Sequence, residues 1–420
     1  MKLLTKQQSC IESRKELKIL LVNKFHYLKG GSEKYYFELG KLLKEHGHEV
    51  AYFSMKDEKN ITTGDKEYFV EPIDLNKGSK LKALDVIYSK KNKKKMEEAL
   101  EDFKPDIVHL NNFQRQLSAS IIDPIKKKNI PIVFTAHDMN AICPASAMLY
   151  KGEICEDCIK KGYNSCIKKS CIKNSKLKSI LAVLETKYYK KHKIYKKIDC
   201  IISPSEFIKN QLIKGNLEYN TIKVLHNFVE KSNVNSINDE GYALFFGRLS
   251  IEKGILNIVQ ALKNIPNGKL LIAGDGPEKE NIEKYIKDNG LKDRIKLLGY
   301  LNQNEIKKYI SNAKFVVVPS IWYENCPYSI LETMEIGKPI IGSKIGGIPE
   351  LIEDGKNGFL YKYNDIKQLE EKMKLLFNNQ KIVDEQSKTS KILFEEKYNK
   401  DIYYNEISKI YKRLLGEKNV

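Results

Sequence analysis

Two glutamates stand eight positions apart in the stretch ENCPYSILE, at Glu324 and Glu332, in a chain of formal net charge +19. The apolar run KFVVVPS before them predicts a buried strand, and the residues after them predict a helix. Pro327 suits the first turn of that helix and Gly337 suits its C-terminal stop. Because eight residues exceed two helical turns, the carboxylates are not a close pair; we expect them to contact different parts of one extended ligand.

The residues between the two glutamates provide backbone donors at the predicted N-terminus of the helix. Helix N-termini leave N–H groups without intrahelical partners, and these groups bind anions well. We therefore predict that the amides of Asn325, Cys326 and Tyr328 hold a phosphate between the two carboxylates.

Two cations follow another predicted strand, in YALFFGRLSIEKG. Arg248 comes directly after the strand, in a chain with only five arginines, and Lys253 lies five residues further on. A guanidinium binds phosphate oxygens bidentately and an ammonium adds a compact point charge, so the pair is suited to a diphosphate. The alternative is two solvated surface cations.

Two glycine turns also follow predicted strands. Gly30 and Gly31 lie in KGGSEK, and Gly274 and Gly276 lie in AGDGP. Both turns would allow a phosphate or a base to approach the backbone, but neither has the three spaced glycines of a dinucleotide-binding fingerprint. For the first turn, an ordinary tight turn with Ser32 as the N-cap is an equal alternative.

Short apolar runs alternate with helical patterns through most of the chain, which predicts an α/β fold with two doubly wound parallel sheets. A polar stretch at 221–241 predicts the linker between two domains that face a central cleft, where ligands bind beyond the carboxyl ends of the strands. The predicted segments are an N-terminal extension (1–17), an N-terminal acceptor-side domain (18–225) with a cysteine-rich insert (143–171), a C-terminal nucleotide-binding domain (226–395) and a closing helix (396–420).

Composition restricts the class of protein. Of its residues 41% are hydrophobic and 30% charged, with no apolar run long enough to span a membrane and no signal-peptide pattern, so we expect a cytoplasmic globular protein. The lysine excess has two interpretations: a genome-wide codon bias, or attraction to anions such as nucleotides, nucleic acid or an acidic membrane surface.

These segments together resemble the retaining GT-B glycosyltransferases of family 4. The resemblance rests on FFGRLSIEKG, LLIAGDGP, the two spaced glutamates and GKPIIGSKIGGIPELIEDGKNGFLY, and in the first half on KILLVNKFHYLKGGSEKYYFELGKLLKEHGHEV, PDIVHLNN, TAHD and DCIISPSEF. Two departures affect sugar specificity and the domain boundary: Asn-Cys-Pro replaces a frequent glycine–aromatic pair after Glu324, and LHNF retains only Asn227 of a common Pro-Asn-Gly.

The resemblance implies a nucleotide-sugar donor, such as a UDP- or GDP-sugar, bound mainly by the C-terminal domain. Arg248 and Lys253 match positions that hold the donor diphosphate, Glu332 matches the carboxylate on the ribose, and Glu324 matches the one facing the transferred sugar. His137 in TAHD matches a histidine near that sugar, whereas outside the resemblance a satisfied polar residue is the commoner interpretation.

The same resemblance implies that Gly30 and Gly31 form a loop closing over the donor, and that the acceptor is a saccharide or a lipid-linked saccharide of cell-surface polysaccharide synthesis. Transfer would retain the anomeric configuration by attack on the face that the leaving group vacates, with no cofactor and no catalytic metal. Fixed cations and amides would stabilise the charge that grows on the diphosphate. We also predict peripheral association with the inner, anionic face of the membrane.

Five cysteines are close together in the sequence, at Cys143, Cys155, Cys158, Cys166 and Cys171. Two interpretations stay open: the last four close a structural zinc site, or the thiols stay reduced and packed. Their spacing departs from common zinc ribbons and fingers.

Three other function classes are alternatives to a glycosyltransferase. A nucleic-acid-binding protein lacks a recognition motif here, and a dinucleotide oxidoreductase lacks its glycine fingerprint. A phosphorylase or hydrolase on the GT-B fold is the main alternative.

Overall fold

The computed structural model describes residues 16–73, 84–232 and 239–416. Most of the predicted N-terminal extension, part of the predicted linker and the last four residues lie outside these ranges.

The first half of the chain forms a seven-stranded parallel sheet in the order β3-β2-β1-β4-β5-β8-β9. Its strands are β1 (Lys18–Val22), β2 (Glu49–Met55), β3 (Lys66–Val70), β4 (Ile107–Leu110), β5 (Ile132–Thr135), β8 (Cys200–Ser203) and β9 (Ile222–Val224). Between them lie α1 (Gly31–Glu45), α2 (Lys90–Phe103), α3 (Ile122–Lys127), α4 (Asp157–Lys161), α5 (Asn164–Lys168), α6 (Lys176–Lys191) and α7 (Glu206–Lys214). The central strands are buried on both faces, which explains their continuous apolar sequences.

The second half forms a six-stranded parallel sheet in the order β12-β11-β10-β13-β14-β15. Its strands are β10 (Tyr242–Phe246), β11 (Lys269–Ala273), β12 (Ile295–Gly299), β13 (Phe315–Val318), β14 (Ile340–Ser343) and β15 (Gly358–Tyr361). Its helices are α8 (Ile255–Lys263), α9 (Lys279–Asp288), α10 (Gln303–Asn312), α11 (Tyr328–Ile336), α12 (Ile348–Leu351), α13 (Ile366–Asn378) and α14 (Gln380–Lys397).

The last helix, α15 (Lys400–Leu414), packs on the first sheet rather than on the second. Its residues Tyr403, Ile407 and Tyr411 share a core cluster with Ile19 and Leu21 of β1. The chain therefore crosses from the first sheet to the second and returns. This return path ties the C-terminus to the N-terminal half.

The cysteine-rich insert occupies the crossover between β5 and β8. It contains a short antiparallel hairpin, β6 (Leu149–Tyr150) and β7 (Glu153–Ile154), followed by α4 and α5. Because it begins at the carboxyl end of β5, it lies on the side of the first sheet where ligands bind. Among the described helices, none is both long and apolar enough to cross a membrane.

Candidate functional site

Glu324 is held by three side-chain donors in the loop between β13 and α11. Its Oε1 accepts hydrogen bonds from Lys253 Nζ at 2.6 Å, Ser320 Oγ at 2.7 Å and Trp322 Nε1 at 2.9 Å. The carboxylate is only 6% exposed. All three of these bonds go to the same oxygen, Oε1.

These contacts fix the charge of Glu324. Burial alone would raise the pKa, but the ammonium of Lys253 and the bonds from Lys253, Ser320 and Trp322 hold the pKa of Glu324 below its usual range. The side chain is therefore an anion at neutral pH. A buried anion with fixed donors is well suited to orient sugar hydroxyls.

The backbone of Glu324 is braced by the turn between β14 and α12. Gly347 N donates to the carbonyl of Glu324 at 2.8 Å. Gly346 has φ +59°, and a Cβ there would lie 2.3 Å from that carbonyl oxygen and 2.6 Å from the amide nitrogen of Glu324. The close approach requires glycine at this position.

We expect Gly346→Ala to destabilise the protein by at least about 2 kcal/mol more than Gly290→Ala. Gly290 is a matched control because it has φ +64° with no atom within 4 Å of an added Cβ, so it shares the backbone cost without the clash. Urea unfolding followed by the fluorescence of the one tryptophan, which adjoins Glu324, measures both variants. Equal destabilisation of the two variants would show that the turn at Gly346 relaxes without cost to accommodate the added Cβ.

Arg248 and Lys253 are on the same side of the cleft as Glu324. Arg248 is exposed in the loop after β10, and Lys253 ends a short 3₁₀ helix (Ile251–Lys253). Lys253 is already engaged with Glu324 and lies 5.6 Å above the ring of Trp322. Lys253 and Glu324 therefore form one ion pair, and Arg248 lies in the same strand-end loop as Lys253. Their role toward a donor stays a prediction.

The glycines of AGDGP have a structural role that the sequence did not reveal. Cβ atoms at Gly274 and Gly276, with φ +141° and +157°, would lie 1.8 Å from Gly247 O and 2.3 Å from Leu249 O. Leu249 N donates to Asp275 O at 2.9 Å. The turn packs its backbone against the loop that carries Arg248, so these glycines position the cation. Direct donor contact by them stays a prediction.

Glu332 is engaged by a lysine from the other half of the chain. It lies in the second turn of α11, is 7% exposed, and its Oε1 contacts Lys34 Nζ of α1. The same ammonium lies 4.8 Å above the ring of Tyr328. A ribose bound by Glu332 would therefore have to share or displace Lys34. Gly337, at φ +83°, ends this helix as predicted.

Asn325 and Cys326 join the two halves beside Glu324. Asn325 Nδ2 donates to the carbonyls of Ala136 and His137, both at 3.2 Å, and its Oδ1 accepts from Ser205 Oγ at 2.9 Å. Cys326 is buried, and its carbonyl accepts from Asn227 Nδ2 at 3.0 Å. This loop, whose backbone amides are predicted to bind an anion, therefore also helps to set the distance between the two sheets.

His137 lies across the cleft from the Glu324 loop. Its Nε2 bonds to Asn111 Oδ1 at 2.8 Å, and its ring packs edge-on against Tyr35 at 4.8 Å. Burial lowers the pKa of His137 to about 3. The imidazole is therefore neutral at physiological pH and offers one donor and one acceptor, not a charge.

The turn KGGSEK forms the start of α1. Gly30 is the N-cap and Gly31 is the first helical residue. The alternative with Ser32 as N-cap is wrong, since the Ser32 hydroxyl donates to Glu33 Oε1 at 3.0 Å instead. A Cβ on Gly31 would be 3.5 Å from the ring of Tyr328, so the N-termini of α1 and α11 face each other.

The thiols of Cys143, Cys158, Cys166 and Cys171 lie close enough together to affect one another's pKa. Contact with the Cys158 thiol lowers the pKa of Cys143 to about 7, and the same contact and burial raise the pKa of Cys158. Burial and the neighbouring Cys171 raise the pKa of Cys166 to about 12.

The described residues give no support to the zinc interpretation. Lys169 Nζ donates to Cys155 Sγ at 3.4 Å. Within the described ranges, no group of three or more metal-ligating side chains is placed to hold a metal ion. Of the two interpretations, reduced and packed thiols therefore match the described residues better than zinc at Cys155, Cys158, Cys166 and Cys171, because a tetrahedral site needs four converging donors.

Sequence reasoning missed several residues of the site: Lys34, Asn111, Ser205, Ser320 and Trp322. Two of these had a local signal, because Ser320 and Trp322 lie in the strand-end loop that was singled out around Glu324. Lys34 had no local signal in the sequence, because 298 residues separate it from Glu332.

Comparisons with known proteins agree with this architecture. A family model described as Glycosyltransferase Family 4 matches residues 29–233, and one described as Glycosyl transferases group 1 matches residues 228–392. A crystal structure of the Anabaena protein HepE in complex with UDP has a TM-score of 0.67 at 16% identity, covering 94% of this chain and 100% of that one. At that identity the likeness shows the fold, GT-B.

Two curated relatives align with part of the chain. An uncharacterized glycosyltransferase of Methanocaldococcus jannaschii is 33% identical over 217 residues, covering 51% of this chain. An amylovoran biosynthesis glycosyltransferase of Erwinia amylovora is 28% identical over 180 residues, covering 41%. The chain spans 60% of the length of the first relative and 44% of the second.

Proposed function

Since the chain belongs to the glycosyltransferases of group 1 and family 4, we propose that it moves a sugar from a nucleotide-sugar donor to a saccharide or lipid-linked saccharide, with retention of anomeric configuration. The observation that carries this proposal is the anionic Glu324, buried beside Lys253 and followed by Glu332 on α11.

In this proposal the donor lies along the carboxyl ends of the second sheet. Glu332 binds the ribose hydroxyls, and the diphosphate lies between Arg248, Lys253 and the N-terminus of α11. The sugar lies between Glu324 and His137. Support comes from the physical match between each group and its partner: bidentate guanidinium on phosphate, amides on anionic oxygens, carboxylates on hydroxyls.

The reaction breaks the bond between the anomeric carbon and the diphosphate oxygen. The acceptor hydroxyl oxygen forms the new bond on the same face, and its proton passes to the departing diphosphate. Negative charge grows on that leaving group, so the fixed cations stabilise the transition state more than the ground state. Glu324 orients the sugar and does not form a covalent intermediate.

A role in polysaccharide synthesis is supported by the printed name of the Erwinia amylovora relative, an amylovoran biosynthesis glycosyltransferase. Binding of the lysine-rich N-terminal half to an anionic membrane surface remains part of the proposal.

The donor site is tested by a thermal-shift panel with UDP, GDP, ADP and their sugar conjugates. We expect one nucleotide series to stabilise the wild-type protein by about 2.7 kcal/mol at 100 times its dissociation constant. Glu332→Gln should lose at least about tenfold in affinity because the neutral amide is a poorer acceptor for two hydroxyls. Glu353→Gln removes a surface carboxylate paired with Lys356 and serves as the control.

A stabilising nucleotide whose effect survives Glu332→Gln unchanged would place the ribose elsewhere. No stabilisation by any nucleotide would contradict the proposed donor site itself.

A further inference from the structure

A pair of lysines follows β1 on the acceptor side of the cleft. Lys24 and Lys29 flank the ring of Phe25, with their Nζ atoms 4.8 and 3.8 Å from the ring centroid. Among the residues that the structure describes, neither forms an ion pair of 4 Å or less with a carboxylate. Both ammonium groups therefore retain hydrogen-bond donors for a ligand.

The surroundings of Lys24 make its charge costly. Burial lowers the pKa of Lys24, and the nearby charges of Arg115 and Lys29 lower it further, while Asp138 acts in the opposite direction. A partly buried ammonium without an ion pair favours an added anion.

The neighbouring carboxylates are engaged with other groups. Asp138 Oδ1 accepts from Asn140 N at 2.8 Å, and Glu33 Oε1 accepts from Asn23 Nδ2 at 3.3 Å. The Arg115 guanidinium donates to Pro144 O at 2.5 Å and stands 3.8 Å from Glu185. Neither Asp138 nor Glu33 forms an ion pair of 4 Å or less with Lys24 or Lys29 among the described residues.

Lys29 extends this charge to the donor side. Burial lowers the pKa of Lys29, the carboxylates of Glu33 and Asp57 act in the opposite direction, and the positive charges of Arg248 and Lys173 lower it further. Arg248 belongs to the second half of the chain, so Lys29 faces the position proposed for the donor diphosphate. Lys173 comes from the cysteine-rich insert, which thus contributes to the same wall.

We propose that Lys24 and Lys29 bind an anionic group of the acceptor, a phosphate or a carboxylate, beside the donor site. This inference rests on the proposed function for its assignment to the acceptor, but the anion site itself is testable alone. An acceptor with such a group would neutralise the lysines where the two substrates meet.

The test uses inorganic pyrophosphate as the probe in isothermal titration of the full chain at low ionic strength. The wild-type protein should bind it at two sites, one at Arg248 and Lys253 and one at Lys24 and Lys29. Lys24→Gln/Lys29→Gln should weaken one site at least about tenfold, and Arg248→Ala/Lys253→Ala the other. Lys56→Gln removes one exposed lysine, 3.6 Å from Glu71, and should change neither.

The outcomes separate the two proposals. If Lys24→Gln/Lys29→Gln still binds pyrophosphate at two sites, the acceptor anion site is overturned and the donor site stays intact. The same conclusion follows if the wild type has a single pyrophosphate site that is lost only in Arg248→Ala/Lys253→Ala. A site retained in Arg248→Ala/Lys253→Ala and lost in the lysine variant supports it. Methyl glucuronide at the same site would identify a carboxylate group, and pyrophosphate alone would identify phosphate.

Discussion

Glu324→Gln is expected to slow sugar transfer about 100-fold or more while the protein stays folded. The wild-type carboxylate carries a full negative charge and accepts three bonds on Oε1, from Lys253, Ser320 and Trp322. Glutamine keeps the shape but not the charge, so Lys253 loses its ion-pair partner. The sugar then loses a charged acceptor for its hydroxyls and the lysine is free to shift.

The measurement is turnover with the donor identified by the nucleotide panel, together with unfolding by urea. Glu353→Gln is the matched control, because it also removes a carboxylate from ion pairs with lysine, at 3.1 and 3.2 Å, but on the surface. Turnover close to wild type in Glu324→Gln would contradict the assignment of this residue. Loss of folding would leave Arg248→Ala as the decisive variant, since the Arg248 side chain is exposed.

The fold was predictable because its signals are local. Strands buried on both faces require continuous apolar runs, and KILLV and FVVV gave such runs at β1 and β13. A glycine in the left-handed region ended α11 at Gly337, as the sequence indicated. Each of these features depends on a few neighbouring residues.

The contacts of the site were not predictable where they join distant segments. Lys34 contacts Glu332, and Asn325 contacts Ala136, only because the two sheets are held facing each other at a particular distance. The cysteines of the insert are a second example. Their positions in the sequence left a zinc site and packed thiols as alternatives, and the contact of Cys155 with Lys169 could not be predicted from that spacing.

His109 is a buried histidine of the first sheet, and its contacts predict acid sensitivity. It is completely buried, with Nδ1 bonded to Tyr411 OH at 2.6 Å and Nε2 to Thr135 Oγ1 at 2.8 Å. Burial, and then the neighbouring His137, lower the pKa of His109 to about 3. In the unfolded chain the pKa is about 6.5. The stability that neutral His109 contributes is therefore present above about pH 6.5 and is lost as pH falls toward 3.

When the pH falls from about 7.5 to about 5, we expect the free energy of unfolding of the wild type to decrease by about 2 kcal/mol more than that of His109→Gln. Urea unfolding at the two pH values measures this difference, and His192→Gln, which changes an exposed histidine, should behave as the wild type.

Glu185 provides a test of opposite sign: burial raises its pKa to about 7, so the wild type gains stability from this group as pH falls. Glu185→Gln should therefore be more acid-sensitive than the wild type. If His109→Gln lost as much stability as the wild type over this pH range, protonation of His109 would not be the cause of the acid sensitivity. The network that joins Tyr411 of the last helix to the first sheet would then not depend on the protonation of His109.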